Sequence, residues 1–435
     1  MILRDMKKKL LQLATKFPVV SVTGPRQSGK STLIKSAFPT YTYLSFEDPS
    51  TRELFQADPT SFLKRYSHNV IFDEAQRASE LFSYLQGMVD GRDEPGSFII
   101  SGSQNFLLSK SVSQSLAGRV GILRLLPLSY GEIARGAQRP ESAWSWAYRG
   151  GYPRVIASDI DPLDFYPAYV ETYLERDVRQ ELGVAKIEEF SRFIQLCALR
   201  SGELLNVSSL ASDCGISPAT ANNWISILSS SYVIHLLRPY ATNRGKRLVK
   251  TPKLYFYDSG LLCNLLGIED ADELAMHPQR GAVFETAVVS ELMKEYLNRG
   301  RMPHLSFWRD SNKNEIDVIV EKGPVPFAAI EVKSSATFRA KYFDVIERIA
   351  PRELGLKADS CSVVYAGEDE LSSPRGRLVP YTDIPSILGF GGQSHLAAPQ
   401  FRDSPDRAIL QHLNLGTVPK LRWRGLSTGL ALARV

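Results

Sequence analysis

The sequence predicts an α/β protein in which a doubly wound parallel sheet is followed by a helical segment and a second α/β region. Two observations carry this. Five short apolar runs alternate with helical stretches over the first 130 residues: PVVSVTG (18 to 24), YTYLSFED (41 to 48), NVIFDEA (69 to 75), SFIISGS (97 to 103) and GILRLLPLS (121 to 129). Each is rich in Val, Ile, Leu, Phe or Tyr, and most close on Gly, Pro, Asp or Ser, as buried parallel strands do when a crossover helix follows. The chain also has 435 residues, more than one core sustains, since single cores rarely grow past about 250 to 300 residues.

Composition narrows the class. With 43% hydrophobic, 10% aromatic and 23% charged residues, disorder throughout is excluded. No apolar stretch approaches the roughly 18 residues of a membrane span, and MILRDMKKKLLQLATKF holds too short an apolar run for a secretory signal. A cytoplasmic protein with no membrane partner is expected. Cys197, Cys214, Cys263 and Cys361 contain no C-x-x-C pair, which removes the usual zinc and disulfide spacings. Lys plus Arg number 52 against 47 Asp plus Glu, a net +5. The segment 391 to 435 holds six basic and two acidic side chains, so the body is nearly neutral and overall charge does not argue for nucleic acid.

The expected divisions are 1 to 149 for the first sheet, 150 to 187 for a helical lid or connector, 188 to 260 for a helix-turn-helix region, 261 to 390 for a last α/β domain, and 391 to 435 for a disordered basic tail. Gly24-Pro25-Arg26-Gln27-Ser28-Gly29-Lys30-Ser31 matches G-x-x-x-x-G-K-[ST] between a strand and the helical TLIKSAF that Thr32 opens. The two glycines permit tight turns, backbone N–H groups cradle phosphates at a helix amino terminus, Lys30 reaches the β and γ oxygens, and Ser31 coordinates magnesium.

VIFDEAQ ends an apolar strand with Asp73-Glu74, about 40 residues after that loop. Asp73 is expected to hold the magnesium, directly or through water, and Glu74 to orient and deprotonate the attacking water. A solvated strand end is the plain alternative. Ser103 and Gln104 close the next apolar run and so emerge at the same sheet edge, where Ser103 could touch the γ-phosphate or simply end a strand. Arg119 in SLAGRV suits an arginine finger from a neighbouring subunit, or a surface turn.

GPRQSGKS, VIFDEAQ, SGSQNFLL, LAGRV and PLSYGEI together resemble the prokaryotic AAA-type ATPases fused to a carboxyl-terminal domain of unknown function. The resemblance covers roughly residues 1 to 390 and extends through GGYP, a winged-helix segment, KRLVKTPKLYFYDSGL, a Phe-Glu pair and an EID…EVK segment. It implies a P-loop AAA-type domain that uses ATP and magnesium.

Residues 207 to 214, a turn at Gly215-Ile216-Ser217, and residues 218 to 229 have the lengths of a helix-turn-helix, with Ser217 as N-cap and Pro218 at the first helical position. Thr220, Asn222 and Asn223 would face bases or phosphates. The segment carries no charge between 214 and 237, which suits a packing role equally well. Against that, RPYATNRGKRLVKTPK (238 to 253) has six basic and no acidic side chains, with Tyr240 interleaved, the composition of a wing that follows phosphates.

Near the carboxyl end, Glu285 lies on a helical pattern, Asp317 in NEIDVIV, and Glu331 and Lys333 in AAIEVKSS. Alternation puts Glu331 and Lys333 on one face of a strand, and a hairpin brings Asp317 to them. The set is similar to the PD-(D/E)XK nuclease core. That resemblance implies that Asp317 and Glu331 bind Mg2+ or Mn2+, that Lys333 orients or activates water, and that Glu285 completes the metal site. Solvated charges on an E-V-K strand are the alternative, and such folds also persist as binding modules. The six histidines form no H-E-x-x-H, and no Ser or Cys stands in a nucleophile elbow. The combined expectation is an ATP-hydrolysing homo-oligomer acting on or near DNA, with a metal-dependent nuclease domain. Its rival is a nucleotide-gated regulator or scaffold whose last domain binds nucleic acid or a protein without cutting.

Overall fold

The computed structural model describes residues 2–92, 94–103, 116–136, 139–174, 187–240 and 250–390. Strands β1 (Val19–Thr23), β2 (Thr42–Ser45), β3 (Val70–Asp73), β4 (Phe98–Gly102) and β5 (Val120–Arg124) form an all-parallel sheet in the order β2-β3-β4-β1-β5. Because β4 lies between β1 and β3, the loops leaving these three strands emerge side by side at one carboxyl edge, the place where open α/β sheets bind ligands. Alternation divides the strand side chains between two cores. Val19, Val70, Phe72, Phe98 and Ile100 face one layer, and Val20, Val22, Ile71, Ile99 and Leu123 the other. Burial on both faces is why these runs are continuously apolar in sequence. Helix α1 (Lys30–Ala37) follows the loop after β1.

Downstream, α2 (Val207–Cys214) and α3 (Pro218–Ser230) form the predicted helix-turn-helix. Gly215 sits at φ 69 as the left-handed residue that ends α2, and Ser217 caps α3 by accepting the Thr220 N–H at 3.1 Å. Ala221, Trp224, Ile225 and Leu228 form its buried stripe. The chain then enters β6 (Ile234–Pro239) and β7 (Lys253–Phe256), an antiparallel pair.

That pair continues directly into the last sheet. β8 (Leu305–Arg309), β9 (Glu315–Lys322), β10 (Val325–Lys333), β11 (Cys361–Tyr365), β12 (Leu371–Ser373) and β13 (Gly376–Pro380) complete an eight-stranded mixed sheet in the order β12-β13-β11-β10-β9-β8-β6-β7. β6 joins β8 through Arg238–Ser306 and Pro239–Phe307, so residues on both sides of position 260 share one sheet.

Helix α4 (Arg280–Asn298) runs through the middle, and from Val283 to Asn298 every residue except Glu285 is buried. A helix enclosed all round belongs to the interior of a larger body. Its Phe284 meets Trp146 edge-on at 6.5 Å between ring centroids, and Trp146 stacks on Tyr381 at 5.6 Å and meets Tyr130 edge-on at 5.9 Å. One core therefore runs from Tyr130 to Leu388. Among the described residues, no helix is long and apolar enough to cross a membrane.

Candidate functional site

The loop between β1 and α1 has the backbone its sequence demands. Gly24 stands at φ 153, and a Cβ there would lie 2.0 Å from the Leu125 carbonyl oxygen, so no other residue fits. Gln27 takes a left-handed φ of 60, and Gly29, at φ 89, precedes α1. Lys30 is buried. Its ammonium donates to the carbonyls of Gly24 at 3.0 Å and Pro25 at 2.8 Å. Burial lowers its pKa and outweighs the opposing pull of Glu74 and Asp73, with the charge of Arg26 adding to the depression. Pro25 is buried against the fold and Thr32 is exposed on the first turn of α1. Ser28 Oγ and Gln27 Oε1 are buried without a partner. A desolvated ammonium, the unpartnered Ser28 hydroxyl and a helix amino terminus are a donor set that suits phosphate oxygens.

The carboxylates stand beside it. Ser31 Oγ donates to Asp73 Oδ2 at 2.8 Å, bringing together the two expected magnesium ligands. The Tyr43 hydroxyl donates to the same oxygen, while Ser101 Oγ and the Glu74 N–H donate to Oδ1. Burial pushes the Asp73 carboxyl up, but the hydroxyls of Ser101, Tyr43 and Ser31 outweigh it and hold the group below its ordinary value. Glu74 turns away from the strand at φ 50. Its Oε2 accepts from Ser103 Oγ at 3.1 Å and from the Gln76 amide. Ser103 thus contacts the expected general base. Gln104 lies outside the described residues.

Arg119 is elsewhere. Its carbonyl accepts from the Val19 N–H, which puts it at the amino-terminal end of β1 and β5, and its guanidinium pairs with Asp90. The five residues of β1 span about 16 Å, so Arg119 stands at the opposite sheet edge from the P-loop of its own chain.

Four supporting side chains had no motif to announce them. Arg4 donates to the Ser28 carbonyl at 2.7 Å and the Leu126 carbonyl at 2.6 Å, and pairs with the fully buried Glu132 at 3.1 Å. It braces the phosphate loop from behind, using the Glu of PLSYGEI. Tyr43 and Ser101 come from β2 and β4, where only strand pairing brings them to Asp73. Tyr232, at φ 59 just after α3, shares a hydroxyl hydrogen bond of 2.8 Å with Thr23, the residue before Gly24.

In the helix-turn-helix, Asn222 and Asn223 are exposed, but Thr220 Oγ1 bonds to Ser217 Oγ and Asn222 Nδ2 donates to the Pro218 carbonyl. Tyr240, expected among the basic side chains, is buried in the core of the last sheet. Residues 241–249, which hold Arg244, Lys246 and Arg247, lie outside the described residues.

The hairpin β9–β10 brings the carboxyl-terminal residues together. Asp317 and Glu331 lie one residue beyond the Val318–Ile330 pair on each strand. Asp317 Oδ2 accepts the Val332 N–H at 2.8 Å, and Lys333 Nζ donates to Glu331 Oε2 at 2.6 Å. Glu331 is 3% exposed; burial and the charge of Asp317 push its carboxyl up to about 8, with Lys333 opposing. Glu285 is pushed up to about 7 by burial and Asp317, with Lys253 opposing. Lys253 was counted in the basic run; it is instead buried and ion-paired with Glu285 at 3.2 Å and with Glu315. Among the described residues, no three His, Cys, Asp or Glu side chains converge as a metal-binding group.

An AAA domain matches residues 16–134, a domain of unknown function (DUF8612) matches 140–272, and a domain of unknown function (DUF4143) matches 280–384. The Walker-type ATPase PABY2304 of Pyrococcus abyssi is 14% identical, with a TM-score of 0.39 over 60% of this chain and 94% of that one. The uncharacterized protein MJ1544 of Methanocaldococcus jannaschii is 22% identical over 349 residues, 73% of this chain and 74% of the relative. The uncharacterized protein Rv2008c of Mycobacterium tuberculosis is 32% identical over 399 residues, 91% of this chain and 86% of the relative. The chain belongs to the family of that mycobacterial protein, and its parallel sheet lies within the AAA domain, residues 16–134.

Proposed function

We propose that the chain hydrolyses ATP at the P-loop and uses that turnover to gate an association with DNA, its last sheet binding without cutting. The observation that carries the catalytic reading is the Ser31–Asp73 contact of 2.8 Å beside Glu74, at the mouth of a loop whose lysine is buried among carbonyls. Lys30 gives up those carbonyls for the β and γ phosphate oxygens. Ser31 and Asp73 hold the magnesium, which, when bound, neutralises charge on the phosphates. Glu74, oriented by Ser103 and Gln76, takes the proton of the attacking water. Arg119 reaches a neighbour's nucleotide in a homo-oligomer, because the edge it occupies is remote from its own.

For DNA, the support is a capped helix-turn-helix with exposed Asn222 and Asn223, followed by the basic run. ATP turnover, measured with and without duplex DNA, should change on its addition. Changing Arg244, Lys246 and Arg247 together to Ala should weaken DNA binding across sequences and flatten the log-log salt slope by about three at most. Unchanged affinity and slope would return the helix-turn-helix to a packing role. Plasmid incubated with Mg2+ or Mn2+ should stay intact; cleavage that Asp317→Ala and Lys333→Ala each abolish would make the last sheet a nuclease.

A further inference from the structure

Cations from distant parts of the chain meet beside the carboxyl end of α4. Lys9, on the amino-terminal helix Met6–Ala14, lies against the turn that follows α4: a Cβ on Gly300 would stand 2.7 Å from Lys9 Cγ and 3.1 Å from Leu123 Cδ2. One residue along β5, the Arg124 guanidinium donates to Met302 Sδ at 2.9 Å. Residues 300 to 302 therefore run beside β5, the last strand of the parallel sheet. Arg299 and Arg301 lie over the Phe390 ring, 4.7 and 5.2 Å from its centroid. Next to Phe390, a Cβ on Gly389 would be 3.7 Å from Lys322 Nζ, which covers the Phe327 ring at 3.3 Å. A guanidinium held over a ring keeps its N–H edges for oxygen acceptors. Arg299, Arg301 and Lys322 are exposed, and Lys9 and Arg124 half-buried.

Two carboxylates share this neighbourhood. Glu295 is 5% exposed and pairs with Arg299, and Glu321 accepts from Ser306 Oγ. Among the described residues, Lys9, Arg124, Arg301 and Lys322 form no ion pair. The patch also adjoins the helix-turn-helix. Tyr232, two residues beyond α3, packs with Met293 and Leu297 of α4. Burial raises its hydroxyl pKa and the nearby Arg124 opposes that shift, which puts this guanidinium at the end of the helix-turn-helix.

We propose that Lys9, Arg124, Arg299, Arg301 and Lys322 form a second surface for duplex DNA, one that follows phosphates and continues from the helix-turn-helix past the end of α4 to the first sheet. Charge complementarity argues for a polyanion, and continuity with α3 argues for the duplex that α3 would hold. Lysine and arginine set against phosphates supply affinity and register rather than sequence choice. The inference rests on the DNA reading above and extends it to residues outside the helix-turn-helix and the basic run.

The test is binding of a fluorescein-labelled duplex of mixed sequence to the full chain across a salt series. Changing Lys9, Arg301 and Lys322 together to Ala should weaken binding and flatten the log-log salt slope by about 2.7 at most. DNA-free ATP turnover and the circular dichroism spectrum should stay as in the wild type. Lys9→Arg, Arg301→Lys and Lys322→Arg combined, which keep the charge, should bind as the wild type does. If the triple Ala variant does not fold, Arg301→Gln alone should flatten the slope by about 0.9, and an unchanged slope there overturns the proposal. DNA binding that the triple Ala variant keeps, but that the Arg244, Lys246 and Arg247 variant loses, would overturn the patch and leave the DNA reading standing. A wild-type chain that binds no duplex would overturn both. Vesicles of phosphatidylserine and phosphatidylcholine that hold the wild type and release the triple Ala variant, with duplex binding equal in the two, would make the patch a membrane-facing surface instead.

Discussion

The phosphate site and the carboxyl-terminal cluster each bury carboxylates, and they solve that problem in opposite ways. Asp73 is held by the hydroxyls of Ser31, Tyr43 and Ser101, neutral donors that stabilise the anion without cancelling it. Glu285, Glu315 and Glu331 are paired with Lys253, Arg309 and Lys333, charged donors that offset part of their charge. A carboxylate solvated by hydroxyls keeps its field and can direct it at an incoming cation. One paired with an ammonium shares that field with its partner. The same residue type is therefore poised for ligand chemistry at one end of the chain and for architecture at the other.

The largest expected effects are at the first site. Lys30→Ala should abolish or greatly weaken ATP binding, while Glu74→Gln should keep binding and slow hydrolysis by about 10²- to 10⁴-fold, the usual worth of a general base. Titration with a fluorescent ATP analogue and a phosphate-release assay separate the two. Equal loss of affinity in both variants would undo the division of labour.

A smaller effect contrasts the two kinds of support. Lys253→Ala strands buried anions and should cost about 3–5 kcal/mol, whereas Ser101→Ala removes one of several donors to Asp73 and should cost about 1.5–3 kcal/mol. Urea unfolding measures both, and equal losses would erase the distinction drawn above.

The smallest effect concerns Glu291, which lies on α4 and accepts the Tyr130 N–H at 2.9 Å. Burial pushes its carboxyl up to about 8; Lys294 pulls it down, and Glu295 and Glu132 push it further up. The folded value lies above the unfolded one, near 4.3, so the folded chain holds the extra proton between them. Stability from this group is full below about pH 4 and is lost as pH rises towards and through about 8. Glu291→Gln, neutral at every pH, should match the wild type near pH 5 and exceed its melting temperature near pH 8. An unchanged pH profile would show that Glu291 does not titrate in this range.

How much of this could be read in advance follows from the distance over which each interaction acts. The phosphate loop and the Ser217 cap are set by neighbours a few residues away, and their sequence patterns are correspondingly specific. Asp73 and Glu74 were readable as a strand end, but Tyr43 and Ser101 join them only through the strand order β2-β3-β4. Arg4 is invisible as a loop brace because its partners Ser28, Leu126 and Glu132 lie far along the chain. Lys253 misled for a related reason. Charge alone grouped it with Arg244 and Lys246, and only the fold of β7 against α4 turns it inward. Arg119 was readable as an arginine finger or a surface turn, but not as standing at the edge remote from the phosphates.

The enclosure of α4 bears on how such a chain can be divided. Tyr130 and Trp146 come from the amino-terminal half, Phe284 from α4 and Tyr381 from near the carboxyl end, and their rings close on one another. A fragment ending before α4 would leave Tyr130 and Trp146 facing water, and a fragment beginning there would do the same to Phe284 and Tyr381. Each aromatic side chain buries about 150–250 Å², so neither half has a finished surface where the other should be. The two halves are not interchangeable cassettes: each completes the other's core.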